Sequence, residues 1–391
     1  MHYLKYLLFH SLTFAAVAGI LLGGAYMWLG LITALVFVVL GDVLLGDDTS
    51  TPELKHKWLL NLQLYSALIL VSSLTFCMVW MSGPDQTDAL GFGGWLQSFT
   101  GYDIFTARSN SNIFDYLGGV LSTILFIGLV GTIVGHELTH RTWDPASMFI
   151  GRWLLAFSWD TGFAIEHVYG HHKYVSTIDD PATAPRGRNV YSHIVISTIK
   201  GNVSAWEIER NRLKKLNKAL FGLSNIYLRG LTMTASLTVA AYAIAQWPGV
   251  LTFTLCALGA KALLEIVNYM EHYGLVRNPD TTPCMPRHSW NSNNKISSWA
   301  TFNLTRHSHH HAHGELPFWD LKPYQDAPMM VSGYLSTMLL TLLPPLWHRL
   351  MAPKLKHWDE HYASEEEKLL ARLSNQKSGS RLFMRNKNQA A

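Results

Sequence analysis

Nine histidines, spread over four separate segments, are the residues best suited to chemistry. The first segment is His136-Glu137-Leu138-Thr139-His140 and the second is His167-Val168-Tyr169-Gly170-His171-His172. His272 stands in Asn268-Tyr269-Met270-Glu271-His272-Tyr273-Gly274, and the fourth segment is His307-Ser308-His309-His310-His311. Residues about one turn apart share a helix face, so His167 and His171 are expected to present imidazoles to a common point while His172 turns aside. Neutral imidazole suits iron, copper, nickel and zinc. The candidate ligands His136, His140, His167, His171, His172, His272, His307, His310 and His311 exceed what one ion accepts, so two metals are expected. Thiolate is absent near them, which disfavours iron-sulfur chemistry, and a magnesium or calcium site would use oxygen instead. Ligand histidines commonly donate their other ring N–H to a carboxylate, a role for which Glu137, Glu166, Asp179, Asp180 and Glu271 are the neighbouring candidates.

Blander readings exist for each piece. His136 to His140 satisfies H-E-x-x-H, in which two histidines hold zinc and the glutamate is a general base, so an intramembrane zinc hydrolase is one alternative. Such an enzyme would leave seven histidines without a role. His272 alone reads equally as a hydrogen-bonded structural residue or a ligand. His309 and His313 are expected to support the site or to be solvated.

The elements that must position these residues are apolar helices. Of 391 residues, 49% are hydrophobic and 15% charged, and the apolar residues come in runs of membrane-spanning length. The runs 7–23, 28–45, 58–81, 113–134, 228–246 and 250–270 predict an all-α integral membrane protein with about six transmembrane helices, the last two forming a hairpin across Trp247-Pro248-Gly249. Lys5, Lys55 and Lys57 fall on one side, while 83–112 carries Arg108 as its only basic residue and is expected to be an outer loop. With both ends cytoplasmic, 135–227 and 271–332 form a histidine-rich cap on the inner face of the cell's inner (cytoplasmic) membrane. Cleaving the first run as a signal peptide would leave five crossings and set the charge bias against the parity. The piece Met148 to Phe157 is too short to span and reads as a buried or interfacial helix. Gly333 to Trp347, with Pro344-Pro345, reads as an amphipathic or half-inserted helix. Residues 1–353 are thus one membrane domain and 354–391 a polar cytoplasmic tail, helical near Glu365 to Arg372 and disordered at its end.

Several function classes are excluded. The net charge of +4 is small and scattered, without a basic stripe, so nucleic acid is not a partner. Cys77, Cys256 and Cys284 form neither a disulfide framework nor a zinc spacing, and read as packing residues. Redox metals above apolar helices point to oxidation of a lipid-soluble substrate held in an apolar tunnel, where burial contributes about 0.8 kcal/mol per methylene. The chain has no nucleotide-binding motif and no C-x-x-C pair. Electrons are therefore expected from a separate protein docking on the basic inner face.

The blocks HELTHR from His136, EHVYGHH from Glu166, TIDDPATA from Thr177, NYMEHYGL from Asn268, HSWNSN from His288 and LTRHSHHHAH from Leu304 resemble the membrane alkane 1-monooxygenases. These lie within the wider membrane fatty-acid hydroxylase and desaturase superfamily. The resemblance implies a six-helix enzyme whose nine histidines hold two iron ions as a non-haem di-iron site. It also implies O2 as co-substrate and insertion of one oxygen atom into the terminal methyl group of an n-alkane. Electrons would come from NAD(P)H through a reductase and rubredoxin, or from a ferredoxin-type reductase. The sequence departs from that pattern at His309, where aspartate is usual, and at Gly314-Glu315, where proline is common. Tyr26-Met27-Trp28-Leu29-Gly30 and Pro344-Pro345-Leu346-Trp347 are similar to the xylene monooxygenase hydroxylase component. Xylene-type aromatic methyl hydroxylation and acyl-chain desaturation therefore stand as alternatives.

Overall fold

The computed structural model describes residues 2–324 and 326–383. Every regular element among them is helical, and extended backbone pairs only at two isolated bridges, Asp47 with Asn294 and Asn291 with Met329. In order, the helices are α1 (Leu8–Leu22), α2 (Leu29–Leu45), α3 (Lys57–Met81), α4 (Phe92–Thr100), α5 (Ile104–Asn110), α6 (Ile113–Phe126) and α7 (Ile133–Thr139). Then come α8 (Pro145–Ala156), α9 (Phe163–Glu166), α10 (His172–Tyr174), α11 (Val190–Lys215) and α12 (Ile226–His272). The last are α13 (Lys295–Ala300), α14 (His307–Ala312), α15 (Tyr334–Thr341), α16 (Pro344–His361) and α17 (Glu365–Ser378). A π-helical stretch, Ile127–Thr132, joins α6 to α7, and another, His167–His171, joins α9 to α10.

Among the described residues, five segments are long and apolar enough to cross a membrane: Leu4–Leu22, Gly24–Leu45, Lys57–Met81, Ile113–Thr139 and Ile226–His272. Large apolar side chains on their outer faces, such as Ile32, Val36 and Leu40 on α2 and Leu255 and Leu258 on α12, are exposed, as lipid-facing residues are. The fifth segment is two arms. Ala245 and Gln246 leave helical geometry, with φ of −141° and 55°, just ahead of the expected Trp247-Pro248-Gly249 turn. Pro248 then falls in the first turn of the second arm, where its missing N–H does no harm. The arms fold back on each other, because Gly230 on the first and Lys261 on the second meet the neighbouring residues Thr161 and Asp160. A Cβ on Gly249 would overlap the Ala241 carbonyl, so only glycine lets the arms approach so closely.

Segment 83–112 differs from a simple loop. It contains α4 and α5, and α5 is capped by Asp103, whose side chain accepts from Thr106 N–H. Arg108 is buried, with its guanidinium 4.4 Å from the Trp80 ring centroid and donating to the carbonyls of Asp85 and Thr87. The stretch expected as one helix over Gly333 to Trp347 is broken instead into α15 and α16, since the two prolines open a new helix at Pro344.

The polar C-terminal part packs on the cap. Arg186 reaches Asp359 of α16 at 2.6 Å, while Glu367 of α17 accepts from Arg287 at 3.0 Å and lies 2.8 Å from His288. The expected helix near Glu365 is α17, started by a Ser364/Glu367 capping box. The expected disorder at the end of the tail falls on residues 384–391, outside the described residues.

The cap is tied to the span through Asp42. Its buried carboxylate on α2 accepts from Ser297 N–H at 2.9 Å and Ser297 Oγ at 2.5 Å, and Ser297 Oγ accepts from Tyr334 N–H at 3.1 Å. Gly333 is the close-approach point, because a Cβ there would overlap the Asp42 carboxylate. Gly333→Ala is expected to destabilise the protein by about 1–3 kcal/mol through overpacking. Thermal unfolding followed in detergent checks this, and an unchanged midpoint would contradict the tight seating of α15 on α2.

Candidate metal centre

All nine histidines converge at one end of the helix bundle. His136 and His140 lie a turn apart on and just after α7, His272 is the last residue of α12, and His307, His310 and His311 stand on α14. They sort into a set of five and two overlapping sets that share His272 and together make a second group. In the first, His136 Nε2 is 3.1 Å from His310 Nε2, and His167 Nε2 is 3.1 Å from both His140 and His172. In the second, His311 Nε2 is 3.3 Å from His171 and 3.0 Å from His307, and His307 is 3.1 Å from His272.

The expected pairing within the second segment is corrected. His167 shares its group with His172, while His171 turns to the other. The cause is the π-helical His167–His171 stretch. Hydrogen bonds from i to i+5 widen the turn, so residues five apart line up where an α-helix aligns residues four apart.

The donor set fits metal ions. Ring nitrogens bound to one ion at 2.0–2.1 Å lie about 3 Å apart along the edges of its coordination polyhedron, which matches the spacings observed. Neutral imidazole is the ligating form, and burial holds His167, His307, His310 and His311 well below the ordinary imidazole range and pushes His172 down to about 3. Five nitrogens in the first group exceed the four that zinc takes in structural sites. Glu137, moreover, is turned from the ring nitrogens toward Arg141, whose guanidinium donates to it at 2.7 Å. A zinc hydrolase would need that carboxylate free beside the metal-bound water.

The other carboxylates divide sharply. Asp180 lies 3.0 Å from His171 Nδ1 and fixes its tautomer with Nε2 toward the group. Glu271 reaches within 3.2 Å of His307 Nε2, close enough to bind metal itself. Glu166 is buried behind His167, and burial, followed by the nearby Asp180, pushes its carboxyl up to about 8. Asp179 is exposed and takes no part. His309 is buried but outside both groups, with Nδ1 accepting from Lys322 N–H and its ring against Tyr324; His313 is exposed.

Two supporting residues carried no signal in the sequence. The buried Tyr334 hydroxyl donates to Glu271 at 2.7 Å, and the Phe163 ring stacks on His167 at 4.4 Å. Both line a largely apolar cavity that runs from His136, His167, Glu271 and His307 to Val38, Leu125 and Met338. A separate open cleft, lined by Arg141, Trp143, Glu315, Leu316 and Trp319, reaches His140 from the surface.

Comparisons with known proteins point the same way. The fatty acid desaturase family matches residues 112–341, a stretch that holds every histidine of the centre. Alkane 1-monooxygenase 1 of Pseudomonas aeruginosa is 34% identical over 89% of this chain and 88% of its own length. Alkane 1-monooxygenase 2 of Alcanivorax borkumensis is 29% identical over 89% and 88%. The xylene/toluene monooxygenase hydroxylase component of Pseudomonas putida is 31% identical over 97% and 96%.

The wild-type protein purified from membranes is expected to carry about two metal ions per chain, and the double variant His136→Ala/His310→Ala about one. Elemental analysis by mass spectrometry decides. Equal loading of the two proteins would contradict the division into two groups.

Proposed function

The chain belongs to the fatty acid desaturase family, among the alkane 1-monooxygenases, and on that premise we propose that it hydroxylates the terminal methyl group of n-alkanes to primary alcohols. One observation carries the proposal: the histidine centre borders a cavity whose exposed surface is almost wholly apolar. We assign two iron ions to the nine histidines, one to each group. When bound, such a non-haem di-iron centre supplies the activation of O2 and the transfer of one oxygen atom into a C–H bond.

The residues of this chain bind, orient and exclude water. Val38, Leu125, Leu263 and Leu335 surround the hydrocarbon, with each buried methylene contributing about 0.8 kcal/mol. His136, His167 and His307 end the cavity and so limit how far the chain advances, leaving its methyl group at the centre. Asp180 keeps His171 in one tautomer, and Tyr334 holds one oxygen of Glu271 so that the other faces His307. The apolar walls keep water from the reacting carbon.

Electrons must come from a separate carrier, for which we propose rubredoxin with an NAD(P)H-dependent reductase, or a ferredoxin-type reductase. Its docking place is assigned to the cleft beside His140, since His140 and His172 alone in the first group keep some exposure. We assign the cap to the cytoplasmic side of the inner membrane. Lys57 pairs with Asp320 of the cap, and Lys5 pairs with Asp48, which accepts from Trp299 of the cap, in keeping with the positive-inside bias.

A second substrate class has its own support. The xylene/toluene relative aligns over 97% of this chain, which favours an aromatic methyl group as the alternative; desaturation of an acyl chain is the third outcome. Cells expressing the protein and an electron donor are to be fed octane, hexadecane, xylene and a fatty acyl substrate, with products identified by mass spectrometry. The expected result is 1-octanol from octane, lost in His171→Ala although that variant remains in the membrane. A methylbenzyl alcohol as the only product would move the assignment to the aromatic class, an alkene would move it to desaturation, and full turnover by His171→Ala would remove the metal assignment.

A further inference from the structure

Beside the histidines lies a second cavity that alkane binding does not use. Asp160, Glu166, Ser197, Asn202, Lys261 and Glu265 line it together with Phe163, Pro181 and Ala182, and His167 and His171 border it. Phe163 and Asn268 face both cavities and form the partition between them. The largely buried Lys261 ammonium lies 2.6 Å from Asp160 and 2.5 Å from Glu265. Glu265 also accepts from Ser197 Oγ at 2.5 Å and Asn268 Nδ2 at 3.1 Å. Ionisable groups on a spanning helix are expensive, and apolar residues of similar size would pack there at lower cost. Toward the surface the cavity reaches Gly201 and Asn202 of α11, both partly exposed, and a Cβ on Gly201 would meet no atom within 4 Å.

The balance of the proposed reaction gives this cavity a task. A hydrocarbon RH, O2, two electrons and two protons yield ROH and water: one oxygen atom enters the C–H bond, and the other takes up the electrons and protons. The carrier protein supplies the electrons. The apolar cavity is a poor route for protons, because a charge would have to cross it without a partner. We propose that the polar cavity delivers the protons, with Glu265 passing them from water admitted at Gly201 toward the oxygen atom that leaves as water. The groups facing Glu265 are Lys261 on its own helix, Asp160 from the loop before α9, Glu166 from α9, and Ser197 and His193 from α11. Lys261 and Ser197 position the carboxylate, and proton transfer through such groups and intervening water is ordinary acid-base chemistry.

This inference rests on the monooxygenase assignment, and two measurements keep their failures apart. The first needs no turnover. In full-length Cys284→Ser protein in native membranes, Ser197→Cys is expected to react with a charged, membrane-impermeant thiosulfonate, and Leu125→Cys in the apolar cavity is not. An unreactive Ser197→Cys would overturn the inference whatever the enzyme's substrate. The second uses the iron-loaded enzyme with octane. Glu265→Gln is expected to lower kcat by about 10²-fold and raise the solvent isotope effect, with iron content and KM for octane unchanged, and Glu265→Asp is expected to restore part of the rate. Gly201→Trp, which plugs the mouth without touching the ion pairs, is expected to show the same signature even if Glu265→Gln fails to fold. Wild-type kcat and isotope effect in both Glu265→Gln and Gly201→Trp would overturn the relay. An iron-loaded wild type that leaves every hydrocarbon untouched would instead remove the monooxygenase assignment.

Discussion

The structure depends on an arrangement that is unfavourable by itself: nine imidazoles with neighbouring Nε2 atoms 3.0 to 3.3 Å apart, all but His140 and His172 buried. Lone pairs facing one another at that distance repel, and burial disfavours the imidazolium that could relieve the contact. A shared cation is the natural partner. Among the described residues, the Nδ1 atoms of His307 and His311 have no hydrogen-bond partner, so their orientation comes from the backbone that carries them. The scaffold must therefore be rigid for reasons outside the centre. Much of that rigidity comes from buried arginines. Arg306 donates to the carbonyls of Leu321, Asp48 and Ser50, and Arg277 to those of Val175, Thr282 and Lys173. Irregular backbone in a buried cap leaves many carbonyls to satisfy, and the guanidinium fork meets several at once.

The spans and the cap are one mechanical unit for the same reason. α7 and α12 carry His136, His140 and His272 at or near their ends, so a shift of either helix along its axis would move these histidines directly. Polar contacts at the boundary resist that shift. Asp42 reaches from α2 to Ser297, Lys5 to Asp48, and α17 clamps the segment after His272 through Arg287 and His288. Asp48 in turn accepts from Trp299 Nε1 at 2.6 Å, which joins the N-terminal turn to the helix before the fourth histidine segment.

The sequence made the spans legible because apolar runs of spanning length have few other uses, and even the bend within α12 was visible at Pro248 and Gly249. The histidines were legible because their number and spacing exceed any ordinary structural need. What remained hidden was geometry that side-chain identity does not encode. Nothing in His167 to His172 distinguishes an α-helical turn from a π-helical one, so the assignment of His171 and His172 to opposite groups needed coordinates. Tyr334 lies far along the chain from Glu271, and its hydroxyl looks like any other until the fold brings the two together. Glu137 was open to two readings, a carboxylate supporting a ligand histidine or, less favoured, the base of an H-E-x-x-H string, and its pairing with Arg141 one turn later was visible in neither. Asp179 and Asp180 are neighbours of the same type, yet only one faces inward, a choice made by the turn that carries them.

The two groups also meet three different surroundings. His136, His167 and His307 border the apolar cavity, His167 and His171 the polar one, and His140 the open cleft. His167 stands at the partition, with Phe163 stacked on its ring and Asn268 beside it. The proposed oxidation of a hydrocarbon by O2 would set conflicting demands on this site, since the carbon must stay dry while the departing oxygen must receive protons. A single pocket would have to compromise between them. An aromatic face on one side of a histidine and a lined polar space on the other meet both demands within one side chain's width. The strict requirement falls on the partition more than on either cavity, because a polar side chain at Phe163 would admit water to the carbon while leaving every ligand in place.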